Sequence, residues 1–228
     1  MTENTSFSQG AVKAIPLCLG VIPVGISYGI LAIQAGLNGL QAVGMSFLVM
    51  AGSSQLMAIG MIAQGAAALS IVAAVFFLNL RHFVMGSSAM ERLHDTSLGK
   101  KMVCAFALCD ESFSLFSLSG AKNADFLLGA NTALYLTWVF SSVIGSLAQN
   151  ILPEIVSKSF GIAFYAAFLA MLLPKVKGRG RLILLVLLAA GVNALLQTFL
   201  PASWAILLSM VACAWAGTFF CEEAGEHA

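Results

Sequence analysis

Two groups of polar residues interrupt otherwise apolar stretches of this sequence. Asn79, Arg81 and His82 lie inside FFLNLRHFVMGSSAM, and Asp110 and Glu111 lie inside CDESFSLFS. On insertion scales, an ionisable side chain at the centre of a membrane helix costs about 2.5–3.5 kcal/mol, and such side chains commonly face a bundle interior or a water-filled cavity. The two groups are therefore candidates for binding a charged small molecule or for exchanging protons.

The two carboxylates carry the strongest functional signal. Asp110 and Glu111 stand nine and ten residues into the fourth apolar stretch, 102–120, and a short carboxylate side chain cannot reach the membrane surface from there. A desolvated carboxylate takes up a proton more readily, which suits exchange with a proton gradient. The basic residues have structural alternatives, since Arg81 could snorkel to the membrane surface and His82 could be a satisfied structural histidine.

Helical geometry, at about 100° per residue, arranges these residues in stripes. One stripe, on the third apolar stretch, consists of Asn79, His82 and Gly86. A second, on the fourth stretch, consists of Asp110, Ser114 and Ser117. Arg81 points almost opposite Asn79, and Glu111 points to a neighbouring, more apolar face. Polar stripes on consecutive stretches predict a shared hydrated interior, in which Arg81 pairs with Asp110 or with Glu111.

The elements that must position these residues are membrane helices. Of the 228 residues, 60% are hydrophobic and only 9% are charged, and the mean hydropathy is +0.94, whereas a soluble domain is about 25% charged. Lipid admits only helices or closed barrels, and the long continuous apolar runs lack the alternation of barrel strands. The sequence predicts an all-α, polytopic protein with one membrane domain over 1–228. Its net charge of +1 gives no reason to expect nucleic acid as a partner.

A helix that crosses the bilayer core needs about 20 apolar residues. Eight stretches fit that length: 14–36, 39–65, 67–90, 102–120, 126–149, 152–174, 182–199 and 202–220. With eight spans and the N-terminus inside, six Lys and Arg residues fall on the cytoplasmic side and four on the other, a small bias by the positive-inside rule. If 39–65 enters and leaves on one side, seven spans remain and the bias disappears. The expectation is seven or eight spans, with the orientation open.

The second stretch contains Gly52, Ser53, Ser54 and Gln55 at its middle. Gly costs about 1 kcal/mol relative to Ala in a helix, and Ser favours caps over helix interiors. One interpretation is that the small residues permit close helix packing. The other is a broken or re-entrant helix at 51–55, with Ser53 or Ser54 capping the second half. Transporters use such half-helix N-termini to hold anionic substrate groups.

Other patterns point away from catalysis. The segment GISYG (25–29) has the GxSxG spacing of a nucleophile elbow, but that motif needs a strand-turn-helix context. It also fits GxxxG, so Gly25 and Gly29 are predicted to form a helix-packing surface. Neither an HExxH motif nor a P-loop occurs, and no metal, cofactor or ATP-driven step is expected. The five cysteines form no CxxC pair and are expected to be core thiols.

The order AGSSQ, then NLRH, then DESF resembles the AzlC family, the larger subunits of bacterial branched-chain amino-acid exporters. The opening IPLCLGVIPVGISYG is similar to the first helix of that family. The resemblance implies a multi-pass permease of the bacterial plasma (inner) membrane that exports valine, leucine or isoleucine with a small AzlD-type membrane subunit. It also implies that the family's recurrent polar positions are Gly52, Gln55, Asn79, Arg81, His82, Asp110 and Glu111.

An exported amino acid needs a carboxylate site, an ammonium site and an apolar pocket. The broken segment at 52–55 and Arg81 are candidates for the carboxylate, and Asp110 or Glu111 for the ammonium or for proton exchange. One methylene discriminates between substrates by only about 1–3 kcal/mol, so broad branched-chain selectivity is expected. Two alternatives stay open. One is an intramembrane enzyme, for which the sequence shows neither a nucleophile with a base nor a metal trio; the other is a structural subunit whose partner carries out transport.

Overall fold

The structure, a computed structural model, describes residues 6–93, 95–148, 180–200 and 202–221. All regular structure within these ranges is helical, which confirms the predicted all-α class. The helices are α1 Phe7–Gln34, α2 Gly39–Leu48, α3 Gly52–Ala63, α4 Ala68–Arg92, α5 Leu98–Phe106, α6 Asp110–Ser119, α7 Ala124–Ala148, α8 Gly180–Gln197 and α9 Ala202–Cys221. The predicted span at 152–174 lies outside the described residues.

Four of the described helices, α1, α4, α7 and α8, are long and apolar enough to cross a membrane. Their ends lie within two residues of the predicted stretches, except that α1 begins at Phe7 rather than at 14. The earlier start has a local cause, because Ser6 and Gln9 form a capping box in which each side chain accepts a hydrogen bond from the other's backbone N–H. Such a box satisfies two backbone donors that a helix start otherwise leaves unpaired.

Helices α1 and α7 pack backbone to backbone along small residues. A Cβ added at Gly25 or Gly29 of α1 would lie 2.6 or 2.4 Å from an atom of α7, and a Cβ added at Gly145 of α7 would lie 2.1 Å from the Ile26 carbonyl oxygen. No side chain fits into gaps of that size. This close approach is the geometry that small-residue motifs allow between membrane helices, and it makes the α1–α7 pair the rigid centre of the bundle.

Replacing Gly29 with alanine is expected to destabilise the protein, because the new methyl group would meet the Ser142 carbonyl oxygen at 2.4 Å. Overpacking of this kind costs about 1–3 kcal/mol, which the melting temperature of the detergent-purified protein would report. The matched control is Gly44→Ala, whose Cβ has open space and gains the better helix propensity of alanine. Equal melting temperatures for the two variants would contradict the packing described here.

The second predicted span is interrupted, as the broken-helix interpretation of 51–55 expected. Helix α2 ends at Leu48 and α3 begins at Gly52, and the two halves pack against different neighbours, α2 against α7 and α3 against α4. The carbonyl oxygen of Val49 accepts a hydrogen bond of 2.9 Å from the side-chain amide of Gln55. Non-helical backbone is tolerated inside a membrane protein where its polar groups are satisfied in this way.

The prediction that Ser53 or Ser54 caps α3 is wrong. The N-cap residue is Ala51, and no side chain in the described part of the chain caps this helix start. Both serines lie in the first turn instead, and their hydroxyl groups are bonded to α4: Ser53 accepts from Arg81, and Ser54 donates to Asn79. The N–H groups of Ser54 and Gln55 bond to the Ala51 carbonyl oxygen, and no side chain that the structure describes competes with an anion for the N–H groups of Gly52 and Ser53 at the very start of α3.

The prediction of one continuous span at 102–120 is also wrong. The chain forms α5 and α6 there, separated by residues 107–109, and its backbone is extended at Cys109. Asp110 and Glu111 are thus the first two residues of α6, where carboxylates interact favourably with the positive end of the helix dipole. The Cys109 N–H donates to Ser112 Oγ at 3.1 Å, which caps the helix start. In the sequence, Asp110 and Glu111 followed by Ser112 were the signal that a helix starts at this position.

Candidate functional site

Helices α3 and α6 are the second halves of the two interrupted stretches, 39–65 and 102–120, and we call them half-helices. Both begin beside Arg81 of α4. The Arg81 Nη1 lies 2.9 Å from Asp110 Oδ2, and its Nη2 donates a hydrogen bond to Ser53 Oγ. One guanidinium group therefore links the first turns of the two half-helices. Of the two pairings that the sequence left open for Arg81, the structure contains the one with Asp110.

A cavity of about 420 Å³ opens at this junction, within the range of volumes typical of small-molecule sites. Its polar wall comes from α3, α4 and α6 and contains Ser53, Arg81, His82, Asp110 and Glu111. Helix α1 contributes an apolar wall without a polar side chain: Pro16, Leu17, Gly20, Val21 and Val24. The lining is completed by Met50, Ala51, Gly52, Leu56, Cys109 and Trp138. The cavity lining thus combines ionisable groups from α3, α4 and α6 with an apolar surface from α1.

The part of the polar wall near α3 is suited to an anion. The start of α3 has no side-chain cap, and a helix start offers backbone N–H donors and the positive end of the dipole. Beside it, Arg81 Nε is buried and has no hydrogen-bond partner within the described ranges. An unpaired donor of a charged group is costly to bury. A carboxylate bound here would satisfy both the helix start and the arginine.

The part near α6 is suited to a cation. Helix α6 starts with two carboxylates, whose negative charges compensate the positive end of its dipole and repel a bound anion. Asp110 is engaged by Arg81. Glu111 lines the same cavity and forms no ion pair with any residue that the structure describes. Its carboxylate is therefore available to a positively charged group.

Three of the predicted residues support the start of α3 from behind the cavity. Ser54 is bonded to Asn79 of α4. Gln55 is 2% exposed, and its Oε1 accepts a hydrogen bond of 3.0 Å from Trp138 Nε1. The indole ring of Trp138 lies directly over Gly52, where an added Cβ would come within 2.8 Å of it. These contacts hold the half-helix in register with α4 and α7.

Replacing Gln55 with leucine is expected to lower stability by about 1–3 kcal/mol, because the buried Trp138 indole N–H loses its hydrogen bond. The bond to the part-buried Val49 carbonyl is lost as well. The melting temperature of the purified protein measures this loss. Gln64→Leu, an exposed residue at the end of the same helix, is the matched control. If both variants melt at the same temperature, Gln55 does not anchor the break.

The structure brings the nine residues predicted for the site together. Six line the cavity: Gly52, Ser53, Arg81, His82, Asp110 and Glu111. The other three lie directly behind it, whereas the predicted stripe residues Gly86, Ser114 and Ser117 are absent from the lining described. Helical geometry separated Arg81 from Asn79, yet both contact the first turn of α3 because the arginine side chain is long.

Sequence reasoning missed the apolar wall and Trp138. The wall residues on α1 follow helical spacing, but α1 is apolar on all sides, so nothing distinguished the cavity face from the lipid face. A tryptophan near the middle of an apolar helix was the one available signal, because a buried indole N–H needs an acceptor. Gln55 was the polar residue able to provide it, from 83 positions away.

Comparison with known proteins gives a consistent set of membrane-protein relatives. The sequence model of the family described as AzlC protein matches residues 16–152. An uncharacterized membrane protein of Archaeoglobus fulgidus is 34% identical over 184 residues, which cover 78% of this chain and 80% of that protein. Inner membrane protein YgaZ of Escherichia coli is 26% identical, with 75% and 73% covered. No solved structure matches the chain.

A further relative is the branched-chain amino acid transport protein AzlC of Bacillus subtilis, 27% identical over 62% of this chain and 57% of that protein. The family match includes all nine residues predicted for the site. The membrane relatives and the long apolar helices agree that the chain is a multi-pass protein of the inner membrane. Because the family match covers more than half of its 228 residues, this protein belongs to the AzlC family.

Proposed function

We propose that this protein is a secondary transporter that exports branched-chain amino acids such as valine, leucine and isoleucine across the inner membrane. The carrying observation is a single cavity lined by Arg81, by the carboxylates of Asp110 and Glu111, and by apolar residues of α1. That arrangement matches an aliphatic zwitterion. The relative in Bacillus subtilis is named a branched-chain amino acid transport protein, which favours transport over an intramembrane enzyme.

The substrate carboxylate binds between the start of α3 and Arg81. The uncapped helix start supplies backbone N–H groups, and Arg81, whose side chain is 35% exposed, adds the positive charge of its guanidinium group. Hydrogen bonds to charged groups contribute about 1.5–3 kcal/mol each. Ser53, which lines the cavity and accepts from Arg81, orients the guanidinium group towards this position.

The substrate ammonium group binds Glu111. The sequence left Asp110 and Glu111 as equal candidates, and the ion pair between Asp110 and Arg81 favours Glu111 because an occupied carboxylate is a poorer acceptor. The aliphatic side chain then points away from the polar wall, towards Leu17, Val21 and Val24 of α1. Its transfer out of water contributes about 0.8 kcal/mol per methylene group.

The driving force is the proton motive force, and Asp110 is the residue that couples to it. A proton on Asp110 would remove the charge that holds Arg81 at 2.9 Å, which would loosen the link between α3 and α6. Unlinked half-helices can move against each other, as alternating access requires. His82, on the same wall, is the second candidate for carrying a proton.

The transporter is a single domain of seven or eight spans that works with a small AzlD-type membrane subunit. In this arrangement α2 with α3 and α5 with α6 each form one broken span. Helix α2 packs mainly against α7 and α3 mainly against α4, which supports a broken span over a re-entrant hairpin at 39–65. Two broken helices that meet at a substrate cavity are typical of secondary transporters.

The test is amino-acid export from cells fed a valine-containing dipeptide, with and without this protein and with an AzlD-type subunit present or absent. Export predicts lower intracellular valine and faster appearance of valine outside, both lost in an Asp110→Asn variant that still inserts. Unchanged valine, leucine, isoleucine and methionine would contradict the proposal. Full export by an Asp110→Asn protein bound to its subunit would instead remove Asp110 from the proposed mechanism.

A further inference from the structure

One glycine of α1 is not explained by helix packing. Helix α1 has four glycines, and at three of them, Gly10, Gly25 and Gly29, an added Cβ would lie within 2.6 Å of an atom of α7. At Gly20, an added Cβ would meet nothing within 4 Å, helix backbone aside, in the described part of the chain. Glycine is among the poorest helix formers, so its presence at an uncrowded position calls for another reason.

Gly20 lies in the apolar wall of the cavity. On α1 it is three residues from Leu17, one from Val21 and four from Val24, and these residues line the cavity with it. These neighbours have branched side chains, whereas Gly20 has none and an added Cβ would meet open space. The missing side chain at Gly20 therefore leaves a recess in the cavity lining, which also contains Arg81 and Glu111.

We propose that Gly20 determines the largest side chain that the cavity accepts. This inference rests on the proposed binding of an aliphatic amino acid, whose charged groups stay at the polar wall while its side chain extends towards α1. Leucine and isoleucine are each one methylene group larger than valine, and the recess at Gly20 provides the space for these larger side chains. A side chain added at Gly20 would occupy that space without touching another helix.

The test compares leucine and valine binding to the purified full-length protein and its variants, using radiolabelled amino acids at equilibrium. Accommodation of one methylene group changes discrimination about 10–200-fold. Gly20→Ala is expected to lower the ratio of leucine to valine affinity about tenfold, and Gly20→Val to lower it further. Valine binding by Gly20→Ala shows that the variant is folded.

Gly44→Val is the matched control, because Gly44 lies in α2, has equally open space around its Cβ and is outside the cavity lining described. It should leave the ratio unchanged. Two results would overturn the size limit and leave the proposed function standing. In the first, the Gly20 variants lose affinity for leucine and for valine equally. In the second, they bind both amino acids with the original ratio of leucine to valine affinity. If the unmodified protein bound neither amino acid, the proposed function itself would fail, and this inference with it.

Discussion

Replacing Arg81 with alanine is expected to abolish export and to weaken valine binding by about 100-fold or more. The guanidinium group lies beside the start of α3, the proposed carboxylate position, and it links the starts of α3 and α6 through Ser53 and Asp110. Two charge-assisted hydrogen bonds to a carboxylate are worth about 1.5–3 kcal/mol each, and about 1.4 kcal/mol corresponds to tenfold in affinity. Equilibrium binding of valine to the purified variant measures this loss.

Two further variants separate substrate recognition from folding. Arg81→Lys keeps the positive charge but loses the planar fork that joins Ser53 and Asp110, so it should insert normally and bind valine weakly. Combining Arg81→Ala with Asp110→Asn removes the uncompensated carboxylate and should restore expression without restoring binding. Normal valine binding by the double variant would show that Arg81 has only a structural role.

Replacing Glu111 with glutamine is expected to weaken valine binding about 10–100-fold and to lower the melting temperature only slightly. Glutamine has nearly the same shape, but it cannot form the charge-assisted hydrogen bond to an ammonium group, which is worth about 1.5–3 kcal/mol. Stability should change little because Glu111 forms no ion pair in the part of the chain that the structure describes, and its interaction with the dipole of α6 is worth about 0.3–1 kcal/mol. Equilibrium binding and thermal unfolding of the same preparation measure the valine affinity and the melting temperature of the variant.

The comparison with Asp110→Asn tests whether Glu111 binds the ammonium group while Asp110 pairs with Arg81. That variant loses the pairing with Arg81, so it should lower the melting temperature as well as export. Glu91→Gln, at the exposed end of α4 and outside the cavity lining described, is the matched control and should leave valine binding unchanged. If Glu111→Gln bound valine normally and Asp110→Asn alone lost binding, the ammonium site would have to be reassigned to Asp110.

Much of the polar wall could be predicted from the sequence because its residues are costly in lipid. Arg81 and Asp110 were visible as ionisable residues within apolar runs, and the Gly52-Ser53 pair indicated a break. The second break was harder to see, because Asp110 and Glu111 were interpreted as charges inside a continuous helix. In the structure they begin α6, where the helix dipole favours them.

The apolar half of the site could not be predicted, because it depends on which face of an all-apolar helix meets the cavity. Val21 and Val24 look the same in sequence as residues that face lipid. The contact between Trp138 and Gln55 joins positions 83 residues apart, and its geometry follows from the packing of α1 against α7. That packing rests on glycines such as Gly29, whose partners no local pattern identifies.

The most direct test of a zwitterion site is calorimetric titration of the purified full-length protein with valine and with two analogues. Valinamide lacks the carboxylate, and isovalerate lacks the ammonium group. We expect each analogue to bind at least about tenfold more weakly than valine, since each loses a charge-assisted contact. We also expect Arg81→Ala to bind valine and valinamide alike. Binding of either analogue as tightly as valine would contradict the assignment of the two charged groups to α3 with Arg81 and to Glu111.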